Sequence, residues 1–396
     1  MAAVNPEALT TLMPEPMPEP MRIAMVAGEA SGDLLAGLLL GGLVRRWPGL
    51  RTMGIGGPRM AEQGFTAWWP HDKLAVRGYV EVLRHYRGIS AIREALVVRL
   101  LADPPRAFIG VDAPDFNLGL EARLKAAGIK TIHFVCPSIW AWRGGRAGRM
   151  AASCDHVLCL FPFEPELLRV HGVAATFVGH PLADAIALEP PRTAARLSLG
   201  LADSDTVVAV LPGSRRSEIA DIAPVFLQAA QLMQNQRPGL RFVLPLAGGL
   251  RSMLEPLVAA HARSLRLQLV DGQSHTVLAA SDVVLIASGT ATLEAALFKR
   301  PMVIGYRMHP LSWQLMKRMR YQPWVGLPNI LCREFVVPEL LQGDCRPEPL
   351  ARATLAWLDD AAGCAALTRR FTDLHHQLRR DTARCASDAI AETLQI

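Results

Sequence analysis

At 396 residues, 51% of them apolar and 20% charged, the chain is long for a single hydrophobic core, and two domains are expected. Its net charge of +6, carried mainly by arginine, suits phosphorylated small molecules, anionic membrane surfaces or nucleic acid; without zinc-finger spacing, an RNA-recognition signature or a basic heptad zipper, nucleic acid ranks last. Seven cysteines with no paired zinc spacing read as reduced, mostly buried thiols of a cytosolic protein, not as a metal site or disulfide framework.

Residues 1–21 include Met13-Pro14-Glu15-Pro16-Met17-Pro18-Glu19-Pro20, whose prolines favour extended chain, so a disordered tail is expected there. It lacks the basic start and apolar stretch of a secretory signal. Residues 22–27 form an apolar strand that runs into Gly28-Glu29-Ala30-Ser31-Gly32-Asp33, followed by a helix from Leu34. The uncharged stretch 34–44 is too short to cross a bilayer. Gly54-Ile55-Gly56-Gly57 enters Pro58 without the third glycine of G-x-G-x-x-G, which weakens a dinucleotide-binding reading, and no G-x-x-x-x-G-K-[ST] loop is present. Trp68, Trp69, Leu74, Val76, Tyr79, Val80, Val82 and Leu83, interspersed with Arg77 and Arg84, suit buried core as well as an acyl-chain or membrane surface.

A second strand, 106–111, ends at Asp112-Ala113-Pro114-Asp115 ahead of a helix to Ala127. Asp112 directly follows the strand, where a side chain faces a cleft and a carboxylate can take a proton; a structural cap is the other reading. Asp115, after Pro114, suits the first turn of the helix and its dipole. Strand 129–135 leads to Ser138-Ile139-Trp140-Ala141-Trp142-Arg143, whose tryptophans and arginine could stack on a sugar or hold a phosphate, or could pack a core. Strands 156–160 and 175–178 follow. Glu189-Pro190-Pro191 marks a linker.

The pattern then restarts. Strand 205–211 ends at Pro212-Gly213-Ser214-Arg215, where glycine, helix-terminal amides and a guanidinium suit a phosphate as well as they suit a plain turn. Strands 241–246, 265–269, 283–286 and 301–305 are expected next. Ser288-Gly289-Thr290-Ala291-Thr292-Leu293-Glu294 forms a second anion-friendly turn, with Glu294 one helical turn on, where a carboxylate can accept both hydroxyls of a ribose. Two such turns suggest a nucleotide diphosphate. Strands alternating with helices give an α/β class: two Rossmann-like, doubly wound lobes with a cleft between them. The expected division is an N-terminal lobe over 22–185, a nucleotide lobe over 186–355, and C-terminal helices over 356–396 that pack on an N-terminal lobe. The one Asp-x-Asp pair, Asp203-Ser204-Asp205, lies where its strand begins, the wrong end for a ligand, so neither metal nor cofactor is expected.

In order, Val26 to Asp33, Gly56-Gly57-Pro58-Arg59-Met60, Val111 to Asn117, Pro137 to Arg143, Leu211 to Arg215, Ser288 to Glu294, Pro301 to Met308 and Leu327-Pro328-Asn329 resemble the lipid-A-disaccharide synthase family. The resemblance runs from about Arg22 to the C-terminus. It implies a GT-B glycosyltransferase that joins UDP-2,3-diacylglucosamine to 2,3-diacylglucosamine 1-phosphate with release of UDP, giving a β-1′,6-linked disaccharide. It further implies a peripheral protein on the cytoplasmic surface of the inner membrane, and a homodimer with exchanged C-terminal segments is known among such proteins. By motif match Asp112 takes the base position. Arg215 and Asn329 fall on positions tied to UDP, Glu294 on the ribose-binding acid of related enzymes, and Glu29 and Ser31 on cleft positions; from the turns read above, Gly213, Ser214, Ser288, Gly289 and Thr290 join the nucleotide side, and Trp140 and Arg143 the acceptor side or the cleft. Arg77 departs from the pattern, standing where similar sequences carry an apolar residue. A UDP-sugar epimerase, a transferase to another lipid-linked sugar, or a non-catalytic nucleotide-binding module would share the nucleotide turns.

Overall fold

The computed structural model describes residues 20–70, 74, 79–140, 145–308, 313–314 and 321–396, the side chains of 30 and 79–86 excepted. Two parallel sheets organise it. In the first lobe the strands are β1 (Arg22–Ala27), β2 (Arg51–Gly56), β3 (Thr66–Pro70), β4 (Ala107–Val111), β5 (Lys130–Phe134), β6 (His156–Cys159) and β7 (Ala175–Phe177), in the order β3-β2-β1-β4-β5-β6-β7. In the second lobe β8 (Val207–Leu211), β9 (Arg241–Leu246), β10 (Leu267–Asp271), β11 (Val283–Ala287), β12 (Met302–Tyr306) and β13 (Glu339–Leu341) lie in the order β10-β9-β8-β11-β12-β13. Helices cover both faces, so the central strands are buried on both sides; every residue of β4, β8 and β11 is buried. In each sheet the strand order reverses beside the first strand, between β1 and β4 and between β8 and β11. That reversal opens a crevice beyond the carboxyl ends of the strands.

Three strands were not among those expected. Gly54 in β2 has φ +139°, and a Cβ there would lie 2.1 Å from the Met25 carbonyl oxygen, so this strand needs the glycine that makes it look like a turn. In β3, Trp68 and Trp69 are half-buried and meet edge to face at 6.4 Å, and the Arg99 guanidinium sits 3.8 Å from the Trp68 ring. Together with Leu74 they pack on the core around Val26, Ile55 and Leu96. Val76 and Arg77 of that stretch lie outside the described residues. The third, β13, has only three residues. The expected strand 265–269 runs two residues later.

The chain crosses back at its end. Helix α14 (Pro347–Asp359) stays with the second lobe against α9 (Arg216–Gln236), whereas α16 (Thr382–Leu394) lies along α1 (Ala30–Arg46) of the first. Between them α15 (Ala361–Leu378) touches both α7 (Pro181–Ala185) and α12 (Thr290–Leu297). Asp184 accepts from the Asp381 and Thr382 amides at 3.0 and 2.6 Å, and the Leu378 carbonyl accepts from the His180 amide at 2.9 Å. A Cβ on Gly42 would stand 2.3 Å from that of Ala383, so glycine sets how closely α1 and α16 approach. Helix α15 thereby bridges the two lobes, and α16 anchors the chain's end on the first.

Candidate active site

The end of β4 carries Asp112, half-buried, ahead of α4 (Pro114–Ala126). Asp112 and Ala113 both have left-handed backbone, φ +49° and +42°. Aspartate tolerates that conformation, but alanine does not adopt it freely, so surrounding bonds must hold the turn. The Asp112 amide donates to the Phe134 carbonyl at 2.9 Å, and Asn117 Nδ2 donates to the Asp112 carbonyl at 2.8 Å. Pro114 at the start of α4 spends no donor there. Asp115 is exposed and pairs with Arg146 at 2.6 Å, a surface role distinct from that of Asp112.

Across the crevice from β4, the turn after β1 places Glu29 half-buried at the entrance to α1 and Ser31 exposed in its first turn. A Cβ on Gly28 would lie 3.3 Å from the Ala113 Cβ, so the Glu29 turn and the Asp112 turn touch. Asp33 is not an open-site residue: it is buried, and its carboxylate accepts from the amides of Gly57, Arg59 and Met60 at 2.8 to 3.2 Å. Sequence reasoning overlooked that cap because its partners lie 24 to 27 positions away.

In the second lobe the turns after β8 and β11 flank the corresponding crevice. Gly213 takes φ +122°, and Glu218 folds back over it. Its carboxylate accepts from the amides of Ser214 (3.0 Å) and Arg215 (3.3 Å) and pairs with the Arg215 guanidinium. The amides expected to hold a phosphate at this turn are therefore occupied by the protein's own anion, while the Arg215 head group stays half-exposed. A glutamate three residues after the N-cap position, the returning half of a capping box, was the signal that could have found it. Glu218→Ala is expected to lower unfolding free energy by about 1–2 kcal/mol, the cost of a lost cap, while UDP still binds. Urea denaturation and UDP titration of the variant check this; lost UDP binding with stability intact would instead place Glu218 on the ligand.

The second turn is different. Ser288, Gly289 and Thr290 are half-buried or exposed at the start of α12, and among the described residues no side-chain carboxylate accepts from the Gly289 or Thr290 amides. Glu294, one turn into α12, is largely buried beside His275, 3.6 Å away. His275, on α11 (Ser274–Ala280), was not among the expected site residues.

Asn329, expected on the UDP side, makes its side-chain hydrogen bonds within the protein. It is fully buried in α13 (Leu327–Cys332), and its Nδ2 donates to the Val337 carbonyl and Glu339 while its Oδ1 accepts from the Val336 and Val337 amides. That uses its full donor and acceptor capacity, so it reaches the site only through its neighbours. Glu339 in turn accepts from the Val325 and Gly326 amides, and the Ser288 hydroxyl faces the Val325 carbonyl at 3.5 Å. Asn329 thus braces the segment beside the Ser288 turn.

Trp140 is buried, with Nε1 donating to Glu164 at 3.0 Å and its ring edge-on to Phe161 and Phe163. Glu164 also accepts from the Leu160 and Phe161 amides, and burial pushes its carboxyl up to about 8 against those hydrogen bonds. Trp140 is therefore a packing residue, although its carbonyl accepts from Gln322 of the second lobe at 3.2 Å. Arg143 and Trp142 lie outside the described residues. Ile139, Trp140 and Phe163 face Tyr321, Trp324 and Ile330 across a cavity of about 740 Å³ between the lobes, whose lining also includes Glu166, His171, Gln322 and Arg333. Two buried groups contain metal-capable side chains, Glu121 with His133 and Cys154, and Cys136 with Cys159 and Glu164. Hydrogen bonds within the first group, and from Trp140 and two amides onto Glu164, account for their closeness. Asp203-Ser204-Asp205 precedes β8, where Asp205 accepts from the Ala202 amide.

The sheet arrangement and its two crevices are shared with known proteins. UDP-GlcNAc 2-epimerase from Neisseria meningitidis, solved bound to UDP-GlcNAc, is similar in fold at 10% identity (TM-score 0.65, 94% of this chain, 100% of that one). The glycotransferase of kitacinnamycin is similar at 18% identity (TM-score 0.63, 95% of this chain, 100% of that one). The architecture is GT-B. In sequence, lipid-A-disaccharide synthase of Verminephrobacter eiseniae is 60% identical over 366 residues, 91% of this chain and 94% of that one. The family model described as lipid-A-disaccharide synthetase matches residues 23–390. The chain belongs to the lipid-A-disaccharide synthase family.

Proposed function

We propose that the chain joins UDP-2,3-diacylglucosamine to 2,3-diacylglucosamine 1-phosphate by single displacement with inversion. Asp112 removes the proton from the acceptor 6-hydroxyl, whose oxygen bonds to the anomeric carbon as the bond to UDP breaks on the opposite face. The uncapped amides of the Ser288-Gly289-Thr290 turn and the Arg215 guanidinium stabilise the charge that develops on the diphosphate. Glu294 accepts the ribose hydroxyls. Glu29 and Ser31, against the Asp112 turn, border the acceptor.

One observation carries this reading. The two strand-order reversals hold complementary chemistry, a half-buried carboxylate on a held left-handed turn in one lobe and an anion-ready helix start in the other. The test mixes protein with both substrates in the presence of chelator. Release of UDP together with a tetraacyl disaccharide 1-phosphate is the expected result; UDP release without that disaccharide would overturn the acceptor assignment.

No described helix is long and apolar enough to cross a membrane. Attachment at the cytoplasmic surface of the inner membrane is therefore proposed to be peripheral, which suits acylated substrates and a net charge of +6. The contacts of α16 with α1 are also those that a homodimer would exchange between subunits.

A further inference from the structure

The cavity between the lobes takes no part in the mechanism above. Its floor is apolar: Ile139, Trp140 and Ile330 are buried there, and Phe163 and Trp324 are half-buried. Apolar surface continues through its mouth, where Leu167 is 39% and Tyr321 66% exposed. The charged lining is exposed as well, and Glu166 is paired there with Arg169. At about 740 Å³ the space falls within the roughly 300–1,000 Å³ of sites that enclose small ligands. An apolar floor reached past apolar side chains suits a chain of methylenes, which is costly to bring from a bilayer into water.

Two polar atoms of the lining residues lack partners. Gln322 Oε1 and Trp324 Nε1 are buried without a hydrogen bond among the described residues. The Gln322 amide is oriented by its Nε2, which donates to the Trp140 carbonyl at 3.2 Å. The Trp324 ring packs edge-on against Phe335 at 6.2 Å. The two atoms offer one acceptor and one donor, and leaving both bare away from water is unfavourable. A secondary amide answers both at once, its N–H to Gln322 and its carbonyl to Trp324. An ester has no N–H and would answer only Trp324. The space is therefore suited to an N-linked acyl chain.

Position selects the substrate that brings it. Trp324 precedes Val325, whose carbonyl faces the Ser288 hydroxyl at 3.5 Å and whose amide Glu339 holds at 2.9 Å. The cavity wall is thus one residue from the segment against the Ser288 turn. In a UDP-2-acylaminosugar the amide sits on the carbon next to the anomeric carbon, so it is the first acyl linkage beyond the diphosphate. The acceptor approaches through its 6-hydroxyl, with its own amide on the far side of the ring. We propose that the cavity holds the N-linked acyl chain of the UDP-sugar, with Gln322 and Trp324 binding its amide. This rests on the reading of the donor as a diacylated UDP-sugar. It uses neither Trp68 nor Trp69, which pack on the core around Val26 and Leu96.

Titration calorimetry of the full chain in detergent tests the assignment with UDP, UDP-N-acetylglucosamine and UDP-2,3-diacylglucosamine. The parent should bind the diacylated donor most tightly. Trp324→Phe keeps a ring against Phe335 but removes the N–H, and should weaken both N-acylated ligands by about threefold to tenfold with UDP unchanged. Leu167→Asp, at an exposed position that leaves folding intact, sets a charge in the path of the chain. It should weaken the diacylated donor alone, by more than about tenfold. In steady-state transfer the KM for the donor should rise in both variants while that for the acceptor stays. Parental affinity for all three ligands in both variants would overturn the proposal. So would an equal loss of UDP affinity, which reduces the segment to a brace, or a raised KM for the acceptor alone. A parent that binds the diacylated donor no more tightly than UDP-N-acetylglucosamine would instead remove the donor assignment beneath it.

Discussion

Asp112→Asn is expected to lower kcat for disaccharide formation by about 10²–10⁴-fold, the usual worth of a positioned general base, with affinity for the UDP-sugar largely kept. The substitution isolates chemistry from folding for a reason visible in the backbone. Residue 112 has φ +49°, a conformation asparagine adopts about as readily as aspartate, so the turn survives the exchange. Alanine at 112 would add a second poorly tolerated left-handed residue beside Ala113, and its effect would mix strain with lost chemistry. The amide has the carboxylate's shape and none of its basicity. Initial rates of UDP release give kcat, and calorimetric titration with the UDP-sugar gives the affinity. Turnover near the parental rate would show that another group accepts the proton. A matching loss of UDP-sugar affinity would place Asp112 among the donor-binding groups, on the wrong side of the reaction for a base.

The parts of this site that could be read in advance share a physical property. Strands β1, β4, β8 and β11 are buried on both faces, so they appear as continuous apolar runs, and the turns that matter follow them immediately. Local chemistry within a few residues makes Asp112, Arg215 and Ser288 candidates, each at the carboxyl end of a buried strand. What could not be read depends on distant partners. Asn117 Nδ2 on the Asp112 carbonyl is a local bond, but Asp33 on the Gly57 turn, Glu339 on Val325 and Gly326, and His133 beside Glu121 join residues 12 to 27 positions apart on different elements. Asn329 illustrates the limit most clearly. A polar side chain after a Leu-Pro pair looks available to a ligand, and only the packed structure shows all of its hydrogen bonds already made. The same holds for the Pro212 turn: glycine and arginine invite a phosphate, but whether the amides are bare depends on Glu218. Such capping carboxylates recur, on Gly57, on Leu160 and Phe161, on Ser214 and Arg215, and on Val325 and Gly326. Among the described residues the Gly289 and Thr290 amides carry no such carboxylate, unlike the similar groups that the fold covers elsewhere with its own anions.

Arg196→Met should produce the largest loss of stability among substitutions remote from the reacting groups, about 3–5 kcal/mol, the cost of breaking a buried ion pair from one side. Arg196 is fully buried on α8 (Arg192–Ser198), the helix that joins the lobes. Its Nε donates to the Ala280 carbonyl at 3.0 Å, Nη1 to the carbonyls of Ala202, Asp203 and Asp205 at 2.8 to 3.0 Å, and Nη2 to Asp282 at 2.8 Å. Asp282 also accepts from Arg192 and from the Val207 amide. One guanidinium therefore pins the amino ends of β8 and β11, the two strands whose carboxyl ends flank the second lobe's crevice. Methionine matches the volume of the stem but leaves four carbonyls and part of a carboxylate without the donor they share, the Ala280 carbonyl among them in the buried interior. Lysine restores charge but not the planar fork that serves three directions at once, so Arg196→Lys should recover only part of the loss. Thermal unfolding checks both variants: for a lobe of this size each kcal/mol is worth about 2–4 °C, so the methionine variant should melt about 6–20 °C below the parent. UDP should protect the parent more than the variant, since the binding crevice is built on the strands that Arg196 anchors. A methionine variant that melts within a degree or two of the parent would mean that these carbonyls find other donors, and that the second lobe does not depend on its central arginine.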